Sequence, residues 1–171
     1  MKLLDQYTIS FSGLRVGRHE FSFVVDKKFF ACFESSEIEE GDIQVHVILE
    51  KSSSMLELFF HFEGTVRVMC DLCTGDFDLQ VEGDDKLIVK FGEEEFTNTE
   101  EILVIPHGEH QVQFAQQLYE FINLALPVRR VHPEGECDTE MLKKIEEYRV
   151  KGKDDDDTDP RWDMLKNIKL N

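Results

Sequence analysis

The sequence predicts an α+β fold: an antiparallel β-sheet over residues 1–105, with enough strands to curl toward a barrel, covered by one main helix and followed by a C-terminal helix and tail. Three observations carry this. Period-two apolar segments recur from Ile43 to Phe91, which is the signature of strands with one buried face. The stretch Val112 to Leu126 changes to helical spacing. Finally, a chain of 171 residues that is 41% apolar and carries 14 Phe has material for one hydrophobic core and not for two.

Taken in order, Tyr7 to Val25 reads as strand, turn and strand, with Ile9, Phe11, Phe21, Phe23 and Val25 set apart by polar residues around a break at Ser12-Gly13 and Arg15 to Arg18. Asp26 to Phe33 loses the alternation, and Phe29, Phe30 and Phe33 fit the face of a short helix. Cys32, on that segment, is read as core. Five strands then follow: Ile43 to Leu49, Met55 to Phe62, Thr65 to Cys70, Phe77 to Val81 and Leu87 to Phe91. Their connections are expected at Ser52-Ser53-Ser54, Glu63-Gly64 and Gly83-Asp84-Asp85, residues that suit turns. Within the strands Val66, Val68 and Cys70 share one face, and Phe77, Leu79 and Val81 share the matching face of the next.

Beyond Glu93-Glu94-Glu95, Ile102 to Ile105 is short and apolar, a strand or a lead-in to the helix. The helix over Val112 to Leu126 stripes Ala115, Leu118, Tyr119, Ile122 and Leu126, and Pro127 ends it. Asp138 is placed to cap a second helix reaching Val150, with Met141, Leu142, Ile145 and Tyr148 at helical intervals. The expected organisation is one α+β domain over 1–150, an acidic flexible linker over 151–159 containing Asp154 to Asp157, and a docking segment over 160–171 in which Trp162, Leu165 and Ile168 share a face.

The chain carries 36 acidic against 19 basic residues, a formal net charge of -17. Such a surface opposes broad contact with nucleic acid or membrane headgroups, because binding a polyanion relies on basic residues that release its counterions. It is suited instead to solubility or to a basic partner. No stretch approaches the roughly 18 to 20 uninterrupted apolar residues of a membrane span, and Met1 to Gly13 lacks the pattern of a signal peptide. A cytoplasmic location is expected. In that reducing compartment the cysteines at 32, 70, 73 and 137 do not read as two disulfides.

The chemistry concentrates at Cys70-Asp71-Leu72-Cys73, a pair of thiols separated by two residues at a turn between strands. Two such sulfurs can aim at one tetrahedral ion but make only half a site. His132 and Cys137, just after the helix ended by Pro127, are the candidates for the other half, giving a Cys₃His set suited to zinc. Packing without metal and redox exchange are the competing readings. The latter is disfavoured because reactive Cys-x-x-Cys pairs usually open a helix, whereas both flanks here are strands. His46 and His61 fall in predicted strands and could pair across a hairpin, while His107 and His110 sit in a polar loop beside Glu109. No nucleophile elbow, phosphate loop or zinc-protease helix is present, so no enzymatic activity and no small-molecule substrate are expected. Arg129-Arg130 and Arg161-Trp162 are the local basic and aromatic candidates for partner or RNA contact.

Four stretches together resemble one family: Val68-Met69-Cys70-Asp71-Leu72-Cys73, Leu124-Ala125-Leu126-Pro127, the His132 to Cys137 segment, and Asp159-Pro160-Arg161-Trp162 with Leu165. The pattern is similar to the YceD-type large ribosomal RNA subunit accumulation proteins of bacteria and plastids, long catalogued as a domain of unknown function. Commoner members enclose an Arg in the cysteine pair and follow it with Leu, where this chain has Leu72 and Thr74. The resemblance implies a non-enzymatic protein that supports accumulation of large-subunit ribosomal RNA. Genes for such proteins often neighbour that of a small zinc-ribbon ribosomal protein, which suits either a basic ribosomal protein or the pre-ribosomal large subunit as partner. A zinc-dependent hydrolase or nuclease acting on RNA, and a generic metal-stabilised interaction module, are the alternatives.

Overall fold

The computed structural model describes residues 3–34, 36–92 and 101–149. The predicted linker and docking segment, with Arg161 and Trp162, lie outside the described residues. After a short 3-10 turn at Leu3–Gln6 come β1 (Thr8–Ser10), β2 (Gly17–Val25), α1 (Lys27–Phe30), β3 (Glu40–Lys51), β4 (Met55–Met69), β5 (Asp76–Phe91), β6 (Ile102–Ile105), β7 (Gln111–Gln113), α2 (Ala115–Ala125) and α3 (Thr139–Tyr148). The class is α+β. Five strands pair in the order β2-β3-β4-β5-β6, and β1 pairs with β7 in a second, small sheet. Among the described residues β2 and β6 remain as edges, so the large sheet is open and not a barrel.

The meander is built from fewer and longer strands than the turn residues suggest. Glu63-Gly64 lies inside β4, and Gly83-Asp84-Asp85 inside β5, with unbroken antiparallel register through both. The glycines mark close approach and not chain reversal. A Cβ on Gly64 would fall on the carbonyl oxygen of Asp42, and Ile43 Cα would be only 2.7 Å away. Gly83 faces its register partner Phe62, whose ring occupies the space that a side chain would need. The reversals that do occur are at 52–54, where Ser52 N–H donates to Met55 O at 3.0 Å, and at 70–75.

Three further differences are local. The strands of the Tyr7 to Val25 region do not pair with each other: β1 pairs with β7 and β2 with β3. The helix predicted from Val112 starts at Ala115, because Val112 is taken by Ile9 across the small sheet. Ile102 to Ile105 is a strand, but it adds in parallel to the end of β5, an orientation open to it because residues 92–101 intervene and no tight turn is required.

Strand alternation sends Val45, Val47, Leu49, Leu56, Leu58, Phe60 and Phe62 to one face, all essentially inaccessible to solvent. The covering layer is α2, which buries Ala115, Leu118, Phe121 and Ile122. Phe60 is held between Phe114 (5.3 Å) and Phe121 (5.4 Å) in tilted ring contacts. α1 adds Phe29 and Phe30, and begins with the Asp26 carboxylate accepting from Lys28 and Phe29 N–H, as a helix N-cap should. On the opposite face Gln44, His46, Glu63, Gln80, Glu82 and Asp84 point outward.

Candidate metal centre

β4 and β5 meet at the loop 70–75, and its backbone positions both sulfurs of the Cys-x-x-Cys pair. Cys70 N–H donates to Gly75 O and Thr74 N–H to Cys70 O, each at 2.9 Å, which folds the loop back on itself. Thr74 adopts φ 60, a left-handed conformation that a β-branched residue rarely accepts. Alternation continues from the strand, so Cys70 follows Val66 and Val68 inward and is fully buried, with Cys73 4% exposed.

The other half arrives on the segment between α2 and α3. Asp71 and Arg130 clip it to the loop twice over: Asp71 N–H donates to Arg130 O at 2.7 Å, and Arg130 N–H to the Asp71 carboxylate at 2.6 Å. The Arg130 guanidinium pairs with Glu37 at 2.8 Å, so this arginine is committed to the fold while Arg129 is exposed. His132 then lies over Phe77, ring centroids 4.7 Å apart. Its Nδ1 is 3.3 Å from Cys73 Sγ and 3.7 Å from Cys137 Sγ, while Cys137 Sγ lies 3.8 Å from Cys70 Sγ. One donor atom from each of Cys70, Cys73, His132 and Cys137 thus falls within 4.8 Å of every other, and no other group of three or more Cys, His or acidic residues among the described residues converges in this way.

These spacings match coordination chemistry. A tetrahedral ion with metal–sulfur arms of about 2.3 Å separates its sulfurs by about 3.8 Å. The electrostatics also favour at least one thiolate, the metal-binding form. Burial alone would push the Cys70 thiol up, but the N–H groups of Cys73, Leu72 and His132, together with the His132 side chain, bring it down to about 6. Leu72 N–H donates directly to its sulfur at 3.4 Å. Cys137 is pushed the other way, to about 11, by desolvation and by its contacts with Cys70 and Cys73. Two thiols, one imidazole and one already-poised thiolate suit zinc, a borderline ion that takes nitrogen and sulfur donors. Bound there, such an ion would join the hairpin to the segment between α2 and α3, with no coordination position left over.

The sequence pairing of Cys70 and Cys73 with His132 and Cys137 therefore corresponds to spatial proximity across a gap of 59 to 67 residues. The Asp71 to Arg130 clip and the Phe77 platform were not legible, because neither has a local signature. Cys32 stays apart, donating to Lys28 O at 3.2 Å. His107 stacks on Phe91 at 6.4 Å in the loop that precedes β7.

The class these observations define is an α+β fold in which three thiols and one imidazole, a set that could hold a metal ion, gather where a hairpin meets the segment between two helices. Residues 58–169 match the family described as large ribosomal RNA subunit accumulation protein YceD. The chain belongs to that family. No curated protein and no solved structure matches it.

Proposed function

We propose that this protein supports accumulation of large-subunit ribosomal RNA without catalysing a reaction, by binding a basic ribosomal protein, and that zinc held by Cys70, Cys73, His132 and Cys137 fixes the shape it presents. The observation that carries the reading is the completeness of the donor set. Four protein ligands fill a tetrahedral ion, whereas a hydrolytic metal keeps a position for water with a base beside it. This weighs against the reading of an RNA hydrolase or nuclease. Family membership supports the ribosomal context. The charge of -17, and exposed acids such as Asp42, Glu63, Asp78 and Glu82 on the outward sheet face, support a basic protein over direct RNA contact as the main interaction.

In this reading residues 1–150 act as one domain in the cytoplasm, 151–159 as a tether, and 160–171 as a docking piece. Arg129, Arg161 and Trp162 supply local contacts to partner or RNA. Among the described residues no helix is long and apolar enough to cross a membrane. The test has two arms. Tagged full-length protein should recover large-subunit ribosomal proteins from cells, and a deletion strain should show a lowered ratio of large- to small-subunit RNA. Recovery of no ribosomal component with unchanged RNA ratios rejects the role. Separately, purified protein should carry one zinc that a Cys70→Ser, Cys73→Ser variant lacks, and equal, negligible zinc in both rejects the clasp.

A further inference from the structure

A second histidine-bearing constellation lies on the outward face of the sheet, opposite the face that α2 covers. The strand register places Ser22 opposite His46, His46 opposite His61, and His61 opposite Asp84. The four side chains therefore stand in one row across β2, β3, β4 and β5, on the outward side. Cross-strand neighbours on one face are within side-chain reach of each other.

The outer members of the row hold the two rings by the same atom. Ser22 Oγ lies 3.2 Å from His46 Nδ1, and Asp84 Oδ1 lies 2.8 Å from His61 Nδ1. His46 thus turns Nδ1 toward β2, and His61 turns Nδ1 toward β5. In an imidazole Nδ1 and Nε2 flank Cε1 and fall on either side of the Cβ–Cγ axis, so with Nδ1 held toward β2 in one ring and toward β5 in the other, Nε2 is the nitrogen each ring has available for a shared ligand. Neither ring makes another hydrogen bond among the described residues. A ring whose N–H is given to a carboxylate carries its lone pair on the other nitrogen, and this is how protein ligands to transition metals are oriented.

We infer that His46 and His61 form a two-imidazole site for a borderline divalent transition cation, of the class of Zn²⁺, Ni²⁺ or Cu²⁺, with Asp84 and Ser22 as positioning residues and the remaining coordination positions facing solvent. Imidazole donors select this class over Mg²⁺ or Ca²⁺. The neighbouring outward acids Glu63, Glu82 and Asp84 raise the local cation concentration. The site differs from the cysteine cluster in having no thiol and in lying on side chains of directly paired strands instead of a loop and a distant segment.

The test is a calorimetric Ni²⁺ titration of the full chain in its as-purified metal state, compared with His46→Ala, His61→Ala and Asp84→Asn. All three positions are solvent-accessible, and circular dichroism checks that the variants keep the wild-type fold. Wild type should take up Ni²⁺ at a site that each single histidine variant weakens at least tenfold. Asp84→Asn should weaken the same site about tenfold, the range expected for loss of an orienting partner. With Cu²⁺, electron paramagnetic resonance should show coupling to two imidazole nitrogens in wild type and to fewer in either variant. Nickel uptake unchanged in both histidine variants overturns the inference. So does absence of uptake in wild type, or uptake that carries the charge-transfer bands of nickel–thiolate bonds and therefore belongs to the cysteines.

Discussion

Single residues in the loop and the strands carry costs that their neighbours do not. Thr74 sits at φ 60, where a β-branched side chain meets its own backbone, and it is retained with its hydroxyl donating to Cys73 O at 2.7 Å. Glycine has no such conflict, so Thr74→Gly should raise stability by about 1 kcal/mol, measured as an increased denaturation midpoint at unchanged m-value. Asp85 is a second case. It belongs to the inward row of β5, opposite Phe60, and burial first, then the charges of Asp84 and Glu101, raise its pKa above 3.8. The folded protein therefore holds this proton more tightly than the unfolded chain does. Stability is lost as pH rises from about 3.8 through the folded value, and the loss is complete at neutral pH. Asp85→Asn should accordingly raise the melting temperature at pH 7 and leave it nearly unchanged at pH 3.

The β-meander shows where residue types mislead at the scale of elements. Glycine and acidic residues at 63–64 and 83–85 are the usual punctuation of turns, yet β4 and β5 run through both. The apolar alternation on either side does stay in phase across each glycine, since Phe60, Phe62, Val66 and Val68 are all buried, and phase was the better guide than composition. Gly64→Ala tests the point: it should cost about 3 kcal/mol in equilibrium unfolding, as overpacking against backbone does, whereas a residue in an open turn would tolerate the methyl. The parity of the inward faces, the capping of α3 by Asp138, and the existence of α2, though not its start, were legible because each rests on local period or local hydrogen bonding. The pairing of β1 with β7 and the parallel addition of β6 were not, because a strand of three or four residues carries no information about its partner.

For the whole molecule, the sheet sets two chemistries apart. Thiols and His132 gather at the end of the β4–β5 hairpin, sheltered by the segment after α2, while His46, His61 and the acids occupy the open face. The proximity of the first group was readable from residue types, since Cys-x-x-Cys demands a complement and His132 and Cys137 offer a His and a Cys five residues apart. What holds that set in place was not readable, because Asp71 and Arg130 are 59 residues apart and are joined by one backbone pair and by a surface-type carboxylate meeting a backbone N–H, neither of which leaves a pattern in the sequence.

That clip between Asp71 and Arg130 has a thermodynamic consequence. Closing a loop of some 60 residues costs chain entropy that an incoming ion would otherwise have to overcome. With Asp71 and Arg130 already joined, His132 and Cys137 are presented to Cys70 and Cys73 at high effective concentration before any ion arrives. Asp71→Ala, which removes no metal ligand, should therefore weaken zinc binding about tenfold, as seen in competition with a chromogenic chelator, while the same four residues still coordinate. A clasp built this way is half shut when empty.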